Sequence, residues 1–113
     1  MERLTSEHFE RGLTDSDWGV RIDFSVRTDY TPTSSQIERG LTDSCASVRH
    51  GFALRADFVP TPLQVKRGLK DEDWDVCEVF RKRQTEWVAR WEAQELKKRH
   101  ATVTAAKPKV EAL

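Results

Sequence analysis

The chain has 113 residues, with 19 basic and 19 acidic side chains that leave a formal net charge of zero. This length suffices for one domain with its own core, and the balanced charge gives no general attraction to nucleic acid or to anionic membranes. No leader-like amino end and no apolar run of about 18 residues points to export or to membrane spanning. We therefore expect a soluble cytoplasmic protein.

The reactive side chains form no recognisable catalytic or metal-binding pattern. Cys45 and Cys77 belong to no CxxC pair, and His8, His50 and His100 share no spacing. Metal sites and activated nucleophiles both need several such groups brought together. The sequence therefore predicts free thiols, no cofactor and no enzyme.

A short repeated motif organises the chain. Segment 39–43 has the sequence RGLTD. The same motif occurs at an equal distance on either side, as RGLTD at 11–15 and as RGLKD at 67–71. A fixed period of this size marks stacked supersecondary units, none of which can bury its apolar face alone. The predicted repeat domain is 1–100, with copies at about 5–32, 33–60 and 61–100. The columns that stay apolar include Phe9/Ile37/Val65, Leu13/Leu41/Leu69, Val20/Val48/Val76 and Phe24/Phe52/Phe80.

Each copy opens with a predicted helix of about two turns, short enough to have 3₁₀ character. Thr33 with Gln36, and Thr61 with Gln64, fit a capping box, in which the threonine hydroxyl and the glutamine side chain each satisfy an amide at the helix start. A glycine near the end of each helix is predicted to adopt a left-handed conformation there. These glycines are Gly12, Gly40 and Gly68.

A second helix is predicted to begin at the aspartate that recurs in each copy, with the valine and phenylalanine columns on its inner face. These aspartates are Asp15, Asp43 and Asp71. Pro32 and Pro60 end the helix in the first two copies. The third copy has no such stop, so one long helix is predicted over about 72–99, followed by a disordered tail at 101–113.

A motif that begins at Asp43 resembles the units of the leucine-rich repeat variant family. Its pattern is D-x5-R-x2-FA-x-R-x-DF-x-PTP. HEAT-like repeats, with an Asp-x-x-Val-Arg signature, are the neighbouring possibility, and 17–21 matches that signature in full. Either resemblance implies an all-α fold that binds a partner, without enzyme activity or an iron–sulfur cluster. The implied architecture is a short right-handed α-solenoid of about three helix pairs, closed by a long C-terminal capping helix.

One arginine recurs in each copy after the core phenylalanine, giving the row Arg27, Arg55 and Arg83. Such a row can track phosphates, which makes nucleic-acid binding the alternative function. We expect instead a ladder of ion pairs running between copies, because aspartates repeat with the same period and cancel the charge that phosphates need. The candidate partners are Asp15/Asp43/Asp71 or Asp29/Asp57, and Arg21 and Arg49 are expected to join the ladder.

Four tryptophans are the candidate anchors for a protein partner. Trp18 and Trp74 share one column, where the middle copy has Ala46, so the repeat does not need them for its core. Burial at the seams between copies is the competing interpretation, because large aromatic side chains are mostly buried. Trp87 and Trp91 lie at helical spacing on the last helix, where they either cover the third copy or meet a partner.

Together these patterns predict a non-catalytic protein–protein interaction module. It would act as an adaptor, or as an inhibitor of a larger protein machine of the kind that phages and mobile elements encode. A homodimer formed through the C-terminal helix is a further expectation. The predicted partner-binding residues are Trp18, Trp74, Trp87, Trp91, Arg27, Arg55 and Arg83.

Overall fold

The computed structural model describes residues 4–111, and the side chains of residues 4–100. This part of the chain is all-helical and contains no strand. The chain divides into two units, Met1–Lys82 and Arg83–Leu113, and most of the buried apolar side chains lie in the first. The helices are α1 (Ser6–Leu13), α2 (Trp18–Ser25), α3 (Ser34–Leu41), α4 (Ala46–Ala53), α5 (Pro62–Leu69) and α6 (Trp74–Glu111).

The three short helices α1, α3 and α5 begin where the sequence predicted. Thr5, Thr33 and Thr61 each accept a hydrogen bond from the amide three residues later, at 3.1–3.2 Å. The capping boxes predicted at Thr33 and Thr61 are confirmed, since both glutamines also accept from the threonine backbone amide. All three helices are α-helical throughout, so the expected 3₁₀ character is wrong.

The glycine near the end of each short helix has a different role from the predicted one. No glycine in the described part of the chain has a positive φ, so the left-handed cap is wrong. Each glycine instead lies under the phenylalanine ring of the following helix. A Cβ atom would fall 2.3 Å from the Phe24 ring if built on Gly12, 2.2 Å from Phe52 if built on Gly40 and 2.4 Å from Phe80 if built on Gly68. Only glycine lets the two helices approach so closely.

The second helices begin later than predicted. The helix caps are Asp17 and Cys45 for α2 and α4, and α6 starts at Trp74. The predicted caps lie in the preceding loops, where each carboxylate accepts the backbone amide two residues later at 2.8–2.9 Å. That local turn occupies the carboxylate, and the helix starts only after it. The aspartates concerned are Asp15, Asp43 and Asp71.

Helix α6 starts slightly later than predicted and continues past its predicted end. The sequence places it over about 72–99, whereas it spans Trp74–Glu111 without an end at residue 101. Disorder of 101–113 in solution therefore stays a prediction. Residues 112 and 113 lie outside the described residues.

The core of the first unit includes members of the predicted apolar columns. Phe9, Val48 and Phe52 are completely buried. The Phe9 ring lies 4.7 Å from the Tyr30 ring and 6.3 Å from the Phe52 ring, measured between centroids. The contact with Tyr30 lies within the first copy, and the contact with Phe52 joins the first copy to the second.

We expect Gly40→Ala to destabilise the protein by about 1–3 kcal/mol, because the added methyl overlaps the Phe52 ring. Backbone propensity alone predicts the opposite sign, a gain of about 1 kcal/mol for alanine inside a helix. Urea unfolding followed by circular dichroism measures the difference. The matched control is Gly19→Ala, whose methyl would meet only the Asp17 carboxylate, at 3.1 Å. Equal stabilisation by both changes would contradict the ring contact.

Candidate functional site

Trp18 and Trp74 are the first residues of α2 and α6. Each follows an aspartate whose side chain caps the helix, since Asp17 accepts from the Gly19 amide at 2.8 Å and Asp73 from the Val76 amide at 3.0 Å. The caps fix the backbone that carries both indoles. Trp18 is 62% exposed and Trp74 is 71% exposed, so burial of these two at seams between copies is wrong.

The other two tryptophans are far less accessible. Trp87 is completely buried, and Trp91 is half-buried. The Arg83 guanidinium carbon lies 4.9 Å from the centroid of the Trp87 ring, in a cation–π contact. Of this pair, only Trp91 is partly accessible to solvent.

The arginine row is held by carboxylates close in sequence. Arg27 donates to Asp29 at 2.9 and 2.5 Å, and Arg55 donates to Asp57 with both bonds at 2.9 Å. The bond from Arg27 lowers the pKa of Asp29 below its usual value and raises the pKa of Arg27. Arg83 pairs with Glu86 at 2.8 Å. The predicted pairing of Arg27 and Arg55 with Asp29 and Asp57 is confirmed, but each pair lies within one copy, so the expected ladder between copies is wrong for these two arginines.

Arg55 also links the second copy to the first. Its Nη1 and Nη2 groups donate to the backbone carbonyls of Ser25 and Tyr30, at 2.9 and 3.0 Å. The side chain is only 5% exposed, and its charge is matched by Asp57. A buried and neutralised arginine serves packing between copies and gives little attraction to phosphate.

A second arginine column bridges consecutive copies directly. Arg21 donates to Asp43 through Nε and Nη2, at 3.0 and 3.3 Å, and Arg49 donates to Asp71 with both bonds at 2.9 Å. These four side chains are only 9–15% exposed. The expectation that Arg21 and Arg49 join a ladder between copies is confirmed.

The short helices carry a further pair of ionic contacts with the opposite order of charge. Glu10 meets Arg39 at 3.5 Å, and Glu38 meets Arg67 at 2.7 Å. Gln64 also donates to Glu38 at 3.0 Å. The hydrogen bond from Arg67 lowers the pKa of Glu38 despite partial burial. In the first and second copies, an arginine thus pairs with an aspartate of the next copy, and a glutamate pairs with an arginine of the next copy.

An apolar cleft that the sequence analysis did not predict lies between the carboxyl ends of α2 and α4. The cleft has a volume of about 430 Å³, and its walls include Val26 and Leu54, which are 55% and 52% exposed. Gly51 lies at its base, where a Cβ would fall 2.1 Å from the Ser25 hydroxyl oxygen. A signal was present, because the column of Val26 and Leu54 holds Lys82 in the third copy and a core column does not accept lysine.

Among the described residues, no group of three or more His, Cys, Asp or Glu side chains is placed to hold a metal ion. Cys45 and Cys77 are free thiols within this part of the chain, and Cys77 donates to the Leu69 carbonyl at 3.2 Å. No described helix combines the length and the apolar character needed to cross a bilayer.

Comparison with protein-family models, with curated proteins and with solved structures found no match. The function is therefore inferred from the geometry of the exposed side chains.

Acid is expected to weaken the contacts between copies. Burial raises the pKa of Asp71, but the hydrogen bonds from Arg49 and from the Asp73 amide outweigh it and leave the pKa lowered. Such a carboxyl binds protons more tightly in the unfolded chain, so its contribution to stability is full above about pH 4 and is lost as the pH falls through its folded-state pKa. Urea unfolding from neutral to acidic pH is expected to show a level free energy that declines below about pH 4.

We expect Asp71→Asn to lower stability at neutral pH by about 1.5–3 kcal/mol, because a hydrogen bond to a charged partner is lost. The same change should reduce the further loss in acid, since the titrating group is gone. The matched control is Asp75→Asn, at an exposed position without an ion pair among the described residues. An unchanged acid response in Asp71→Asn would contradict this assignment.

Proposed function

We propose that this chain is a non-catalytic protein-binding module whose main contact surface carries Trp18 and Trp74. The observation that carries the proposal is the exposure of both indoles, 62% and 71%, at the capped starts of two helices. Tryptophan is among the residues most enriched in binding hot spots, because its large rigid ring buries much area for little loss of freedom. Two such rings in water favour a partner that covers them.

The surroundings of the two rings favour a protein with basic side chains. Trp18 directly follows Asp17, and Trp74 stands between Asp73 and Asp75. Carboxylates beside an indole attract lysine and arginine by charge and by cation–π contact. The same carboxylates repel phosphates, so this surface suits a protein better than a nucleic acid.

The proposed architecture is a short right-handed α-solenoid of three helix pairs, with α6 as its cap. Its support is recurrence, because the arginine–aspartate and glutamate–arginine contacts between the first and second copies reappear between the second and third. Identical contacts at a fixed sequence period are the basis of repeat stacking. The likeness to leucine-rich repeat variant and HEAT-like units stays part of this proposal.

A module of this kind acts either as an adaptor or as an inhibitor that covers the surface of a larger protein machine, in the cytoplasm. Nucleic-acid binding along the arginine row has weaker support. Arg27 and Arg55 are both paired with aspartates, and Arg55 is buried.

A pull-down of the tagged chain from lysate of its native host tests the proposal, with nuclease-treated and untreated halves compared by mass spectrometry. We expect one protein to be captured in stoichiometric amount in both halves, with no nucleic acid recovered alongside it. Capture that disappears with nuclease would overturn the protein-binding function and favour the arginine row.

We expect Trp18→Ala and Trp74→Ala each to weaken binding of the recovered protein by about 30-fold or more, the effect of a hot-spot residue worth about 2 kcal/mol. Isothermal titration calorimetry with the purified partner measures the affinity. The matched control is Leu63→Ala, because Leu63 is a large apolar side chain that is 71% exposed on α5. Equal loss in the control, or no loss in the tryptophan variants, would contradict the assigned surface.

Self-association through α6 is a separate proposal. Trp91 keeps part of its ring exposed, and Leu96 is 68% exposed on the same helix. If these side chains meet a second copy, light scattering will report a dimer for the natural chain and a monomer for Trp91→Ala. A monomeric natural chain would exclude the homodimer.

A further inference from the structure

The first copy carries one half of an interface of the kind that is complete between the second and third copies. A groove of about 360 Å³ opens on the first copy. A larger groove of about 570 Å³ lies between the second and third copies. Six residues that line the first groove hold the same repeat positions as six residues on the third-copy wall of the larger one. These six are His8, Arg11, Gly12, Asp15, Val20 and Phe24.

The apolar residues of this half-interface are incompletely covered. Val20 and Phe24 are half-buried. Their counterparts are almost fully buried, with 0% exposure for Val48 and Phe52 and 1–2% for Val76 and Phe80. The preceding copy contributes to that cover in the second and third copies. Apolar side chains left open at an end of a stack favour association with another unit.

The charged residues of the half-interface lack the partners that their counterparts have. Asp43 and Asp71 each hold an arginine of the preceding copy. The carboxylate of Asp15, among the described residues, accepts only the Asp17 amide. Arg11 pairs with Glu7 on its own helix, and both side chains are at least 70% exposed. Such a surface pair is readily exchanged for another.

Arg27 provides a third element of the same kind. In the second copy, Arg55 donates to two backbone carbonyls of the first copy, those of Ser25 and Tyr30. Arg27 holds the same position in the first copy, and its hydrogen bonds within the described chain go to Asp29 alone. Its side chain is 39% exposed, against 5% for Arg55. The Arg27 guanidinium carbon also lies 5.4 Å from the centroid of the Phe24 ring, and the described hydrogen bonds of this side chain use only Nε and Nη2.

We propose that this end face, formed by Arg11, Asp15, Val20, Phe24 and Arg27, is a docking surface for a further helix pair supplied by a partner protein. The docked pair presents an arginine to Asp15, a glutamate to Arg11 and backbone carbonyls to Arg27. Within this chain the first two roles are filled by a glutamate on the first helix of a pair and an arginine on the second, as in Glu10 and Arg21. The inference rests on the proposed function, protein binding, and assigns it a second surface and a partner chemistry.

A second copy of this chain is a poor occupant of the end face. The third copy has Lys66 where the first two have glutamate, and Cys77 where they have arginine. Lysine would repel Arg11, and a thiol cannot replace a bidentate guanidinium opposite Asp15. Head-to-tail stacking would thus lose both ion pairs, and the open-ended filament that such stacking builds is disfavoured.

The fit of a helix pair is tested by an extended protein that contains the whole natural chain and a duplicate of residues 5–32 placed before Thr5. The duplicate supplies the glutamate, the arginine and the carbonyls. We expect the amides of natural α1 and α2 to exchange hydrogen at least about tenfold more slowly in the extended protein, because an added repeat interface protects them. Unchanged exchange would overturn the proposal.

Matched variants separate docking from general stabilisation. Asp15→Asn should lower the melting temperature of the extended protein and leave that of the natural chain unchanged, because only the extended protein has an arginine opposite Asp15. Asp23→Asn, at an exposed carboxylate on α2, should change neither protein. Equal effects of Asp15→Asn in both proteins would count against the docking surface.

The same face is tested with a partner recovered in the pull-down. Asp15→Arg should weaken that complex by at least about tenfold, while Asp23→Arg should not. Full binding by Asp15→Arg would overturn the partner assignment, and self-association lost in Asp15→Arg would show a second copy as the occupant. If the docking surface is wrong, binding that depends on Trp18 and Trp74 is still expected. If no partner binds at all, hydrogen exchange in the extended protein still shows whether the end face accepts a helix pair.

Discussion

Within each helix pair, a phenylalanine ring of the second helix lies directly on the backbone of a glycine in the first. The contact occurs between Gly12 and Phe24, between Gly40 and Phe52 and between Gly68 and Phe80. Because glycine has no side chain, each ring rests directly on the backbone of the first helix. Van der Waals contact then fixes the distance and relative rotation of the two helices. The remaining contacts of the fold depend on this, since it sets where the loop and the outer face of each pair fall.

A fixed pair places its charged residues at reproducible positions, and this allows the ionic contacts to recur from copy to copy. Removing the arginine–aspartate pairs from water carries a desolvation cost, which only good geometry and full hydrogen bonding offset. No described buried side-chain nitrogen or oxygen lacks a hydrogen-bond partner. The crossed order of charge, arginine to aspartate on one side and glutamate to arginine on the other, gives each contact a single register.

Residues that depart from the repeat are the best guide to function. Trp18 and Trp74 occupy a column whose middle member is Ala46, and both are exposed. Lys66 and Cys77 interrupt the two ionic columns in the third copy, while the first copy retains the residues that receive both contacts. The two ends of the repeat region are therefore unlike in chemistry. This asymmetry supports the proposed binding of a different protein over head-to-tail stacking of identical chains.

Elements whose signals are local or strictly periodic could be predicted from the amino-acid sequence alone. The capping boxes at Thr33 and Thr61 depend on residues three apart, and the valine and phenylalanine columns show which face each helix buries. Exposure of Trp18, the choice of Asp43 as the partner of Arg21 and the role of Gly40 could not be obtained in this way. A glycine near a helix end fits a left-handed cap as well as a close ring contact, and Asp43, distant in sequence from Arg21, competes with nearer carboxylates. These points required the folded chain, because each depends on distances between side chains far apart in the sequence.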